Sequence, residues 1–248
     1  MTQMTLFIFP GACSRVSMTA LEHVGAEYEA VMVNLMQGEH MRPEYKVANP
    51  RGKVPALHVD GKLLSENAAI QLWLNDRFPE AGLLPKPADE WERAPQLSDM
   101  FWVSSVWHPY VRANKMPSRW TTGDEAPVRE RGVELLTPCL VQLEERLSDR
   151  DWYYGVWSII DVYFYWAYTT AEDGEFDLSP YPNIHRHRLA VEALPAFQAA
   201  IARENARQIR EVIPNELFEE LNALHLDLQP GESFWQQALP EQLQLIRR

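Results

Sequence analysis

The chain has 248 residues, of which 46% are hydrophobic, and a formal net charge of −12. That length suits one large or two ordinary domains with filled cores, and the acidic balance argues against nucleic acid or an anionic membrane surface as partner. No apolar run approaches the roughly 18 residues that span a bilayer, no signal-type segment opens the chain, and two cysteines, Cys13 and Cys139, make no disulfide framework, so a reducing cytoplasm is the expected home.

Thr5-Leu6-Phe7-Ile8-Phe9 reads as a strand that runs into a Pro10-Gly11 turn. Ser14 to Gly25 then reads as a helix, with Val16, Ala20, Leu21 and Val24 on one face and Gly25 suited to its C-terminal cap. Tyr28 to Val33 reads as a second strand. Val54 to Val59 and Lys62 to Leu64 form a predicted hairpin that turns at Asp60-Gly61. Ser65 is expected to start a helix whose buried face is Ile70, Trp73, Leu74 and Phe78. This alternation over residues 1–85 predicts a small mixed sheet with helices packed on it. Those residues carry a net charge of only −2, so an anionic ligand meets little repulsion there.

Pro79, Pro85 and Pro87 mark a linker, and beyond them strand signals vanish, so residues 86–248 are expected to be all-helical. Leu97, Met100, Phe101, Ser104 and His108 share a predicted helical face, as do Leu136, Leu140, Leu143 and Leu147, in a helix that Pro138 should kink. Ser158-Ile159-Ile160-Asp161 fits a capping box ahead of the almost wholly apolar run Val162 to Tyr168, the pattern of a buried helix. The tail after residue 206 is weakly patterned.

Three short segments bear on chemistry. Cys13 follows the Pro-Gly turn at a helix start, where peptide dipoles favour a thiolate; its other reading is a small buried residue. Ser14 competes with it as the reactive side chain or serves as the helix cap. Lys53-Val54-Pro55 precedes a strand, and a cis bond at Pro55 would leave the Val54 amide and carbonyl free to pair with an extended peptide; otherwise Pro55 is an ordinary edge proline. Ser65-Glu66-Asn67 can cap its helix and also hold a ligand carboxylate, with Glu66 facing a ligand ammonium. No Cys or His spacing suggests a metal site, since His185 and His187 fall on different faces of a helix. Cys139 and Trp102, Trp107, Trp157 and Trp166 read as core.

In this order and spacing, Pro10-Gly11-Ala12-Cys13-Ser14, Asn49-Pro50-Arg51-Gly52-Lys53-Val54-Pro55, Ser65-Glu66-Asn67 and the Ser158–Asp161 box make residues 4–205 resemble the cytosolic glutathione transferases, above all the bacterial beta class. The resemblance implies an α/β thioredoxin-like N-terminal domain over residues 1–85 and an all-α C-terminal domain over 86–248. It implies a cytoplasmic homodimer of a detoxifying transferase, with glutathione as co-substrate and no metal. The partner substrate would be a small apolar or aromatic electrophile. It places Cys13, with Ser14 as rival, beside the glutathione sulfur, and Val54 on its cysteinyl backbone. Glu66 and Asn67 would take the γ-glutamyl end, and Lys53 or Arg42 the glycyl carboxylate. His108 would stand at the reacting end, with Trp107, Val111 and Trp166 around the electrophile. Asn67 departs from the usual serine, no Lys or Arg follows the second strand over residues 34–38, and the tail after residue 206, longer than usual, could cover the electrophile. Two other functions remain compatible: a glutathione-dependent disulfide reductase or peroxidase acting through Cys13, and a non-catalytic binding scaffold on the same fold.

Overall fold

The computed structural model describes residues 2–206 and the backbone of 210–211. It falls into two compact units. One holds Met1–Ser14, Glu27–Glu66 and the described residues from Arg203 onward; the other holds Arg15–Ala26 and Asn67–Ala202.

The first unit is built on a five-stranded sheet: β1 (Met4–Ile8), β2 (Glu29–Met32), β3 (Ala56–Val59), β4 (Lys62–Ser65) and β5 (Arg210–Glu211), in the order β4-β3-β1-β2-β5. β1 runs parallel to β2 and antiparallel to β3, which pairs antiparallel with β4. The expected hairpin is present. Asp60 and Gly61 both take positive φ (49° and 77°), the pair of left-handed residues that a tight hairpin turn demands. One face of the sheet is filled by Phe7, Val31, Val33, Ala56 and, from α2 (Pro43–Ala48), Tyr45 and Ala48. In chain order α1 (Ser14–His23) falls between β1 and β2 and α3 (Asn67–Arg77) after β4, the order of a thioredoxin-like domain; apart from Ser14, both helices are counted in the second unit. Beyond the linker, β5 departs from the all-helical expectation. Two residues add in parallel to β2, with Val31 facing Arg210 and Met32 facing Glu211. So short a pairing is fixed by the edge it meets and leaves no periodicity in the sequence. The rest of the tail lies outside the described residues.

The second unit is helical. It contains α4 (Glu90–Trp102), a π-helical turn over Val103–Trp107, α5 (His108–Lys115), α6 (Ala126–Arg146), α7 (Ile159–Glu172), α8 (Pro182–Glu192) and α9, Pro195–Glu204, whose last two residues belong to the first unit. The predicted face from Leu97 to His108 holds only in part: Met100 is buried, Leu97, Ser104 and His108 are half-buried, and Phe101 is exposed. The buried positions are Met100, Val103, Trp107 and Val111, while Phe101, still within α4, is 54% exposed. α6 continues through Pro138 from Ala126 to Arg146. α5 and α6 approach closely because Gly132 has no side chain; a Cβ there would lie 2.7 Å from the Asn114 amide nitrogen. α7 is buried along nearly its whole length and opens with the expected capping box. Among the described residues no helix is long and apolar enough to cross a membrane.

Candidate functional site

The turn that delivers Cys13 is held by its neighbour. Ser14 Oγ accepts from the Phe9 amide and donates to the Phe9 carbonyl, both at 3.2 Å, and the Ala12 amide donates to the same carbonyl at 3.0 Å. Gly11 takes φ +74°, which a side chain would disfavour. Ser14 is fully buried and its hydroxyl is engaged in both directions, so its role in this geometry is to close the turn. Cys13, 5% exposed, donates through Sγ to the Val54 carbonyl at 3.6 Å. The sheet unit thus brings together two residues 41 positions apart that the sequence singled out separately.

The Val54 strand is anchored just upstream. The Lys53 carbonyl accepts from the Tyr45 hydroxyl at 2.6 Å and from Asn49 Nδ2 at 2.7 Å, while Asn49 Oδ1 accepts from the Arg51 amide at 3.1 Å. Burial pushes the Tyr45 phenol well above its ordinary range, so it stays a neutral donor. The Val54-Pro55 bond is cis, the alternative weighed from sequence. The Lys53 side chain itself is exposed. Arg42, the other candidate for an anion, is turned toward the buried Glu44, with Nε 3.5 Å from its carboxylate.

The predicted helix start at Ser65 is displaced by two residues. Ser65 ends β4, Glu66 follows with φ +74°, and α3 begins at Asn67. A left-handed glutamate is strained, and such strain concentrates where a side chain must be aimed. Glu66 is exposed, and Arg51 Nη1 donates to its Oε1 at 3.1 Å and to Ser65 Oγ at 2.9 Å. Sequence reasoning placed Arg51 in a motif without giving it a role; the fifteen-residue separation from Glu66 concealed the pairing. Asn67 is buried and its Oδ1 accepts from Ser17 Oγ and Gln71 Nε2.

In the helical unit, His108 opens α5 half-buried. Its ring lies 4.4 Å from that of Trp166, and Nδ1 is 3.3 Å from the Tyr163 hydroxyl. The Arg112 guanidinium sits 5.2 Å from the Trp166 ring centre on its way past the cluster. Tyr163 and Arg112 were missed, although Tyr163 precedes Trp166 by one helical turn and Arg112 follows His108 by one. Trp107 and Val111 have no exposed surface, and Trp107 packs edge-on against Trp102 and Phe164 at 5.6 and 5.1 Å. Trp166 is 1% exposed, with a buried indole nitrogen that has no hydrogen-bond partner.

Residues 2–76 match the family model for the glutathione S-transferase N-terminal domain. A maleylacetoacetate isomerase of Pseudomonas aeruginosa is 33% identical over 186 residues, covering 73% of this chain and 87% of that protein. Among solved structures, a beta-class glutathione S-transferase of Sphingomonas chungbukensis superposes with a TM-score of 0.71 at 30% identity, covering 81% of this chain and 98% of the other. A sphingomonad glutathione S-transferase in complex with glutathione superposes with a TM-score of 0.70 at 32% identity and the same coverage.

Proposed function

The chain belongs to the glutathione S-transferase family, and on that premise we propose that it binds glutathione and activates its thiol for attack on a small apolar or aromatic electrophile. The observation that carries the reading furthest is the approach of Cys13 Sγ to the Val54 carbonyl, which sets a thiol against the one stretch of backbone suited to pair with a cysteinyl peptide. Glutathione enters with its cysteinyl backbone on Val54, beside Pro55. Its γ-glutamyl end meets Glu66 and Asn67, and its glycyl carboxylate meets Lys53, the cation left exposed on that side of the motif. The bound thiol gives up its proton. The thiolate then forms a carbon–sulfur bond while the leaving group departs with its electron pair. Hydrogen bonding and proximity supply the acceleration. Cys13 is the residue we assign to the sulfur: its one S–H, which donates to the Val54 carbonyl, turns to a thiolate once the cysteinyl amide takes that carbonyl, whereas the Ser14 hydroxyl is engaged with Phe9 in both directions. His108, with Tyr163, Trp166 and Arg112, is assigned to the electrophile. Trp107 and Val111 support that cluster from within the core.

A second reading has its own support in the same thiol. The Cys13 thiolate can attack the glutathionyl sulfur of a glutathione mixed disulfide and expel the other sulfur as a thiolate; the thiolate of a second glutathione then attacks the sulfur bound to Cys13, and oxidised glutathione leaves as the Cys13 thiolate is restored. We assign the protein to the cytoplasm as a homodimer, consistent with two buried cysteines that form no disulfide and with Phe101 and Val141 exposed on the helical unit at 54% and 41%. Calorimetry with glutathione tests the whole reading, followed by turnover with an aryl halide and with a mixed disulfide. Micromolar-to-millimolar binding and catalysis of either reaction are expected. Absence of binding would leave a scaffold, and sedimentation of a single chain would remove the dimer.

A further inference from the structure

α7 ends in a turn that folds the chain back on itself. The Phe176 amide donates to the Ala171 carbonyl at 3.1 Å and the Glu175 amide to the Glu172 carbonyl at 2.8 Å. Between them Glu175 takes φ +68°, the left-handed position that glycine commonly fills in this closure of a helix. The turn brings the Phe176 ring to 6.4 Å from that of Tyr181, which precedes α8, and each side chain is 8% exposed. A cavity of about 500 Å³ lies between the end of α7 and the start of α8, inside the roughly 300–1,000 Å³ range of small-molecule sites. Phe176, Tyr181 and Ile184 line it with buried surface, and Glu172, Asp177 and Arg188 with charge. None of these residues belongs to the proposed glutathione or electrophile sites.

Two observations say what this cavity would hold. The first is Tyr181, nine-tenths buried, whose hydroxyl has no hydrogen-bond partner among the described residues. Burial and the nearby carboxylates of Asp177 and Glu144 push its proton affinity up, so it stays a neutral hydroxyl in a negative field. The second is the balance of charge. Arg188 is held between two carboxylates, with Nη1 2.6 Å from Glu172 and Nε 3.1 Å from Glu192, so its charge is more than offset. Asp177 accepts from the Ser179 amide at 2.9 Å, which holds its carboxyl below the ordinary range and keeps it ionised. The start of α8 would otherwise attract an anion, but Glu144 already accepts from the Asn183 and Ile184 amides, both at 2.9 Å. The end of α7 adds the negative end of its dipole. His185, exposed on α8, is the other basic group on the wall.

We propose that this cavity binds a small protonated amine with an apolar body, the ammonium held by the Asp177 carboxylate and the Tyr181 hydroxyl and the apolar part lying against Phe176 and Ile184. An ammonium supplies the donor that the Tyr181 oxygen lacks, and aromatic rings attract a cation where a neutral or anionic group gains nothing. The formal net charge of −12 draws such a ligand to the protein.

Calorimetry on the full-length protein at low salt tests this with 2-phenylethylammonium, 2-phenylethanol and 3-phenylpropionate, which share a phenyl ring and differ in charge. The ammonium should bind with a Kd of about 0.1–1 mM, and the other two at least about tenfold more weakly. Saturating S-hexylglutathione, which fills the proposed glutathione and electrophile sites, should change that Kd by less than about twofold. Asp177→Asn should raise it about fivefold and Tyr181→Phe about threefold, with glutathione binding unchanged in both. Equal affinity for the three probes would overturn the proposal. So would displacement by S-hexylglutathione, or an unchanged ammonium Kd in either folded variant. Asp177 lies on an exposed segment and asparagine keeps an oxygen for the Ser179 amide, so that variant retains the fold. The variants are read with the ammonium alone, so the test stands even if glutathione fails to bind.

Discussion

Replacing Asp161 by alanine should be among the most damaging single changes outside the ligand sites. Asp161 is fully buried at the start of α7. Its Oδ2 accepts from the Ser158 amide at 3.0 Å and the Ser158 hydroxyl at 2.9 Å, and its Oδ1 from the Tyr153 amide at 2.8 Å. His187 Nε2, itself buried, lies 3.1 Å from Oδ1, and its Nδ1 is 3.1 Å from the Tyr168 hydroxyl. Alanine leaves two backbone amides without acceptors in a dry setting, at about 1–3 kcal/mol each. Relief of burying the acidic group offsets some of the loss of the cap and the histidine contact. The expected net loss is about 3–5 kcal/mol, which for a chain of this size lowers the thermal midpoint by roughly 6–20 °C. Asp161→Asn keeps one acceptor oxygen and should lose about half as much. Urea unfolding followed by tryptophan fluorescence, at one protein concentration throughout, measures both. α7 also carries Tyr163 and Trp166, so the surviving folded fraction should show a lower kcat with a glutathione Kd close to the original. A stability within about 1 kcal/mol of the original for Asp161→Ala would refute the argument that these bonds hold the helix.

Cys13→Ala should abolish reduction of a glutathione mixed disulfide and leave aryl halide conjugation within about tenfold, roughly 1.4 kcal/mol of barrier; Ser14→Ala should instead cost stability, about 1–2 kcal/mol for two bonds to Phe9, and a hundredfold loss of conjugation at unchanged stability would show that the hydroxyl is chemical. His108→Ala should lower kcat more than it weakens glutathione, and retained activity with a lowered thermal midpoint would make the ring a packing element. Arg51→Ala removes an exposed ion pair, with side-chain exposures of 61% and 66%, so stability should change by less than about 1 kcal/mol. The same change releases Glu66 for the ligand ammonium, so glutathione should bind a few-fold tighter at low salt and less so at high salt; an unchanged Kd at low salt would count against Glu66. Burial pushes the Cys139 thiol up to about 11, so native protein should resist iodoacetamide at that position at pH 8. Because the folded thiol holds its proton more tightly than the unfolded one, this contribution is fully present below about pH 9 and should be lost as pH rises to about 11, read as a falling urea midpoint.

What could be read in the sequence was set by local chemistry. Asp60-Gly61 forms its turn wherever the flanking strands lie, and Ser158 and Asp161 cap each other across three residues. An apolar run such as Val162 to Tyr168 has no choice but burial. The misplaced features depend on the rest of the molecule. The shared face from Leu97 to His108 misplaces Phe101, whose exposure depends on what packs against that side of α4, while Met100 beside it is buried. Ser65 looked like a cap because serine commonly is one; here it completes the pairing of β4 with β3, opposite Ala56, and the helix waits for Asn67. Arg51 with Glu66 and Ser17 with Gln71 are joined across 15 and 54 positions, beyond the reach of periodicity.

The helix starts differ in how their first amides are satisfied. α4 is closed by Asp89, whose side chain accepts from the Trp91 and Glu92 amides at 2.9 Å, and α7 by the Ser158–Asp161 box. In both, acidic side chains satisfy the exposed amides and the positive end of the dipole, leaving little for an external anion. α1 and α3 carry no acidic residue in the first turn, a property they share with α5, α6, α8 and α9. The Ser14 hydroxyl turns back to Phe9, and Asn67 turns its oxygen toward Ser17 and Gln71. Both of these contacts lead away from the first amides of the helix that carries them. In the proposed reading, those two helix starts, which follow Cys13 and Glu66 in the chain, are the ones that meet the thiolate and the carboxylate.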